Sequence, residues 1–150
     1  MRTLTFVFVS MLVCATATSG TTELAARLAR AHSLRCTFSL SSTIWVRSGR
    51  RTAETTAEKG EVVYDSIDTA KGTARIIGNI GASNLVAWRE ASSGSLWLRE
   101  MTPSGNEVTT TIFPMYVEGG DEFVVIESRH SMVGQTVLGE EASGSCRVLE

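Results

Sequence analysis

Histidine, proline and cysteine are scarce in this chain, which holds two, two and three of them among 150 residues. No His-Glu-x-x-His and no Cys-x-x-Cys spacing occurs, so the common zinc and dithiol chemistries are not encoded and no metal is expected. The nucleophile-elbow pattern G-x-S-x-G, the phosphate loop G-x-x-x-x-G-K and the dinucleotide fingerprint G-x-G-x-x-G are missing too, and no cofactor is expected. Gly78-Asn79-Ile80-Gly81 is too short for a phosphate cradle, and its glycines suit a place where a strand bends or another backbone comes close. No apolar run reaches the roughly 20 residues that a membrane-spanning helix needs. Positive charge is neither in excess nor clustered. Fourteen Lys+Arg stand against sixteen Asp+Glu, a formal charge of −2 that argues against a nucleic-acid partner. The one basic doublet, Arg50-Arg51, reads as part of a solvated loop.

What is present suits one folded domain. The apolar fraction is 43% and the charged fraction 20%, ordinary for a packed protein of this length. At the N-terminus Arg2 precedes an apolar stretch from Leu4 to Val13, followed by Ala15-Thr16-Ala17, a cleavage pattern of small residues. Residues 1–17 are therefore read as a signal peptide, residues 18–34 as a leader with a short helix, and residues 35–150 as a single β-barrel domain. The expected location is secreted or periplasmic. A lipid anchor on Cys14 is disfavoured by Val13 before it. With Cys14 removed, Cys36 and Cys146 remain in a compartment where disulfides persist, and they are expected to pair.

From Thr21 to His32 the pattern is helical, with Leu24 and Leu28 four apart behind a threonine cap. Beyond it the rhythm changes to alternation. Cys36, Phe38 and Leu40 fall on one face and Arg35, Thr37 and Ser39 on the other. Similar runs follow at about residues 44–47, 61–67, 73–80, 84–90, 95–101, 107–116, 122–130 and 144–149. They are separated by the turn formers Lys71-Gly72, Gly81-Ala82-Ser83, Ser92-Ser93-Gly94, Pro103-Ser104-Gly105-Asn106 and Gly119-Gly120. This spacing predicts an all-β fold, an antiparallel up-and-down meander of about eight strands closing into a small calycin-like barrel, with a short N-terminal helix. Pro114 inside a strand implies an edge or a bulge. Ala74 to Ile80 and Phe123 to Ile126 are apolar on both faces and call for a cover, either the helix or a partner. The polar run from Ser48 to Gly60 reads as a flexible loop, a lid by analogy.

A set of short motifs carries a resemblance: Ile67-Asp68, residues 74–81, Gly105-Asn106, Thr109-Thr110-Thr111, Ser128-Arg129-His130 and Gly144-Ser145-Cys146. Over residues 36–147 the chain resembles an uncharacterised family of small secreted bacterial β-rich proteins with a cysteine near each end of the mature chain. The resemblance implies export and a compact β-rich domain, and no activity.

Three functions follow as expectations. The first is a module binding a small apolar ligand inside the barrel or at its mouth, with Trp45, Trp88, Trp97 and Arg129 as candidate contacts. Trp45, Trp88, Trp97, Phe38, Phe113, Tyr64 and Tyr116 suffice to line a cavity or to fill a core. The second is a protein-interaction or inhibitor module at the cell surface. The third, weaker, is a hydrolase in which His130 serves as base and Ser128 as nucleophile, both on one strand face opposite Arg129. His32 reads as a surface residue on the leader helix. The doublets Asp121-Glu122 and Glu140-Glu141 point to opposite faces of a strand, which disfavours them as a glycosidase acid/base pair.

Overall fold

The computed structural model describes residues 18–79 and 81–149, so the signal peptide read at residues 1–17, with Cys14 and Ala15-Thr16-Ala17, lies outside the described residues. A helix, α1 (Thr18–Ala29), precedes eight strands: β1 (Leu34–Arg47), β2 (Arg50–Asp68), β3 (Thr73–Gly78), β4 (Gly81–Arg89), β5 (Leu96–Met101), β6 (Glu107–Tyr116), β7 (Phe123–Val133) and β8 (Thr136–Val148). Each strand pairs antiparallel with the next, and β8 returns to β1, so the meander closes into a barrel. Closure leaves the short strands β3 to β6 with partners on both sides, the arrangement that alternation and regularly spaced turns require.

The inward residues of successive strands form the core. Leu34, Cys36, Phe38, Tyr64, Ala74, Leu85, Ala87, Leu96, Leu98, Ile112, Phe123, Val125 and Cys146 are buried at the two-residue period. Cys36 and Cys146 face each other across the β1–β8 seam and form a disulfide. Pro114 sits where the β6–β7 register shifts, between Ile112 and Tyr116, so the ladder donor it lacks falls in a bulge.

The helix closes one end of the barrel. Leu28 and Ala31 are buried there, with Leu24 packed beside them. Arg89 ties the helix to the β4–β5 connection, donating from Nη1 to the Gly94 carbonyl at 2.8 Å and from Nη2 to the Leu28 carbonyl at 3.1 Å. Arg27 donates to the Tyr116 hydroxyl and lies over the Tyr116 and Phe123 rings, 5.5 and 5.7 Å from their centroids. His32, expected as a surface residue on the leader helix, is exposed but follows the end of α1, with Nδ1 3.3 Å from the Ile67 carbonyl.

Two expectations are corrected. The run from Ser48 to Gly60 is no loop: Ser48 and Gly49, at φ of 49° and 77°, make a two-residue turn, and β2 starts at Arg50 and pairs with β1 up to Tyr64, with one irregularity opposite Phe38 and Leu40. Positive φ at both central positions is the twist-matched hairpin geometry, and it turns a polar, threonine-rich segment into strand. The helix, in turn, caps the barrel end and does not cover the outer wall, where Ile77 and Ile126 stay exposed.

Candidate functional site

The strands end at unequal heights at the end away from α1. Residues 50–62 of β2 pair with β1 alone, because β3 reaches only Val63. β1 runs on to Arg47 opposite Thr136 of β8, and β7 follows β8 to Val133, past its last β6 partner at His130. Strands β7, β8, β1 and β2 therefore project beyond the barrel as a curved sheet. Its inner face continues the barrel interior, and its outer face continues the wall.

Register assigns each side chain to a face. On the inner face at the rim, Glu127 (β7) accepts from the Thr110 hydroxyl at 3.3 Å and the Tyr64 hydroxyl at 3.5 Å, and Tyr64 and Thr110 lie 2.9 Å apart. Burial pushes the Glu127 carboxyl up, and repulsion from Glu58 adds to the shift. Burial pushes the Tyr64 phenol up as well, with Glu127 reinforcing it, so Tyr64 stays a neutral donor. The buried Oε2 of Glu58 has no hydrogen-bond partner among the described residues, and Glu100 accepts from Ser83 on the facing wall. Below this rim the interior is filled. The cavity bounded by Tyr64, Ile76, Leu85, Leu98, Glu100, Val108, Thr110 and Glu127 measures about 10 Å³, the space of a single water.

Farther out, the inner face carries Arg129, 4.0 Å from Glu140, and then a depression of about 660 Å³ lined by Trp45, Arg47, Ser48, Arg50, Thr52 and Thr136. Arg47 and Arg50 close the β1–β2 hairpin as directly opposed residues, and neither has an acidic partner among the described residues. Like charges directly opposite each other weaken a strand pair. Flanked by an indole and two threonine hydroxyls, the two guanidinium groups form a polar, cationic wall able to take an anionic group.

The candidate residues are dispersed over this framework. Trp45 lines the depression, and Arg129 lies on the same face nearer the barrel. Trp88 and Trp97 point outward from β4 and β5, where their rings stack with centroids 5.7 Å apart, and Trp97 Nε1 is buried without a hydrogen-bond partner among the described residues. His130 and Ser128 share the outer face of β7. His130 stands opposite Glu107 and Gly139 and makes no hydrogen bond to an acid or a hydroxyl among the described residues. That arrangement assembles no nucleophile and base. Arg47, Thr52 and Thr136 were not singled out by sequence, and Arg50 was named only within the doublet Arg50-Arg51, read as part of a solvated loop. The available signal was the turn-forming pair Ser48-Gly49 between two arginines.

Comparison of the chain with protein-family models, with curated proteins and with solved structures finds no match.

Proposed function

We propose that this protein is an extracytoplasmic binding module that takes a small ligand at the mouth of the barrel, against the inner face of the projecting sheet. One observation carries the reading: beyond a rim whose cavity holds about 10 Å³ lies an open depression of about 660 Å³ walled by Trp45 and by two arginines with no acidic partner among the described residues. The ligand class that fits has a flat apolar body for Trp45 and an anionic group for Arg47 and Arg50. Location outside the cytoplasm is supported by the Cys36–Cys146 disulfide and by the leader pattern at residues 1–17. Intact-mass measurement of the protein recovered from a periplasmic or culture fraction tests it, and retention of residues 1–17 would argue against export.

Anilinonaphthalene sulfonate, an anionic aromatic, is the probe for the site. Saturable binding that weakens at least fivefold in Trp45→Ala and in Arg47→Gln/Arg50→Gln, and is unchanged in Trp88→Ala, is the expected result. Equal binding by Trp45→Ala and the parent would remove the basis of this reading.

The Trp88–Trp97 stack on the outer wall, with Val86 exposed beside it, favours a second reading as a protein-interaction module. Retrieval of a partner from a periplasmic extract by the parent, and not by Trp88→Ala/Trp97→Ala, is its test.

A further inference from the structure

The tip of the projecting sheet combines exposed apolar side chains with a group of arginines. The turns at residues 48–49 and 134–135 lie side by side, since Arg47 pairs with Thr136. Around them Met132 and Val133 are 71% and 66% exposed, and Ile44 and Val137 are about half exposed. Arg47, Arg50 and Arg51 surround these side chains, none with an acidic partner among the described residues. Residues 44–51 and 132–137 contain no acidic residue. The nearest carboxylates along these strands, Glu54 and Glu140, stand three residues farther back, roughly 10 Å at strand rise. Three positive charges are thus collected at one extremity of a chain whose formal net charge is −2.

From this segregation we infer that the tip docks on a bilayer surface carrying anionic lipid, with Met132, Val133, Ile44 and Val137 entering the interfacial layer and the three arginines meeting headgroup phosphates. Apolar side chains at a hairpin extremity leave water when they enter the interface, and each basic residue near a negative surface raises partitioning roughly fivefold. A second copy of this chain is a poor occupant, because tip-to-tip contact would oppose six arginines. The ligand depression opens on the same sheet, so a docked tip would hold it facing the membrane. Met132, Ile44, Val137 and Arg51 belong to the outer face and Val133, Arg47 and Arg50 to the inner one, so the docking surface shares Arg47 and Arg50 with the ligand depression but rests on their exposure and charge, not on a bound ligand.

The experiment is co-sedimentation of the oxidised protein, in the processed form that cells produce, with phosphatidylcholine vesicles and with vesicles containing about a third phosphatidylglycerol. Binding selective for the phosphatidylglycerol vesicles and weakened by added salt is expected. Arg47→Gln/Arg50→Gln/Arg51→Gln should lower partitioning about a hundredfold, and Met132→Ser/Val133→Ser several-fold. Brominated lipid should quench the parent and leave the residual emission of Trp45→Phe unquenched, since Trp88 and Trp97 sit on the barrel wall. Circular dichroism confirms folding of each variant. No preference for anionic vesicles, or equal binding by the folded tip variants, overturns the inference. Retained sulfonate-probe binding by Met132→Ser/Val133→Ser separates this surface from the ligand site.

Discussion

Gly144 gives the sharpest test of the register. It lies on β8 opposite Phe38, where β1 carries its irregularity between Phe38 and Leu40. A Cβ built on Gly144 would stand 2.8 Å from both Phe38 Cα and the Thr37 carbonyl carbon, and closer still to the Thr37 oxygen. Carbon atoms pack at about 3.5–4.0 Å, so alanine would force the two backbones apart by close to an ångström. Two residues along, the Cys36–Cys146 bond pins the same pair of strands and restricts that separation. Overpacking ordinarily costs about 1–3 kcal/mol, and a clash of backbone against backbone at a pinned seam belongs at or above the upper end. Gly144→Ala is therefore expected to lose about 3 kcal/mol or more in urea unfolding under oxidising conditions, roughly 10 °C in Tm for a domain of this size. Gly134→Ala is the control. Its φ is 61° with nothing within 4 Å of the added carbon, so it should lose only the left-handed backbone cost of about 1–2 kcal/mol. Equal losses for the two variants would mean that β1 does not approach β8 at this point, and the seam would have to be redrawn.

Other outcomes follow from the same structure. Reduction, or Cys36→Ser/Cys146→Ser, should lower stability by up to about 4–5 kcal/mol by chain entropy, measured by denaturant titration with and without reductant. The Glu127 carboxyl has a folded pKa above its unfolded value, so its contribution is whole below about pH 4.5 and is lost as pH rises through the folded value. Glu127→Gln should accordingly be relatively more stable than the parent at neutral pH, and a stability curve over pH 4–8 with unchanged slope would refute this. Glu90 runs the opposite way. The Ser92 hydroxyl and the Ser92 and Ser93 backbone N–H groups hold it down to about 2, so its contribution is present above its ordinary value and disappears as pH falls toward 2. Glu90→Gln should flatten that acid limb. Arg89→Met removes the guanidinium that bridges the Leu28 carbonyl of the helix and the Gly94 carbonyl of the β4–β5 connection, and hydrogen exchange in α1 should accelerate while the barrel strands stay protected.

Much of the barrel could be read from residue order, because alternation at Cys36 and Phe38 and glycines at Gly72, Gly94, Gly105 and Gly119 are local signals with local causes. All four glycines have positive φ. Residues 50–60 were legible in neither respect. Their threonines and charges look solvated, and as strand they are solvated, held by ladder bonds to β1 that composition does not register. Alternation places Trp88 on the face opposite Ala87 but does not say which face is inside, and the small Ala87 took the interior. The rim of Tyr64, Thr110 and Glu127 unites residues from three strands through register alone, and the cationic wall depends on a turn that sets Arg47 against Arg50.

The sulfur bridge also governs how this protein would respond to being pulled. Strand β1 leaves the helix and β8 ends at the same end of the barrel, so tension on the two ends would open their seam like a zipper, one rung at a time. Among the described residues, the Leu149 N–H bond to the Ser33 carbonyl and the rungs Leu34–Val148 and Arg35–Arg147 precede the covalent rung at Cys36–Cys146. Opening under tension between the two ends would therefore stop at the sulfur bridge, with the remaining rungs of the seam from Thr37–Ser145 onward still closed, until a reductant released it.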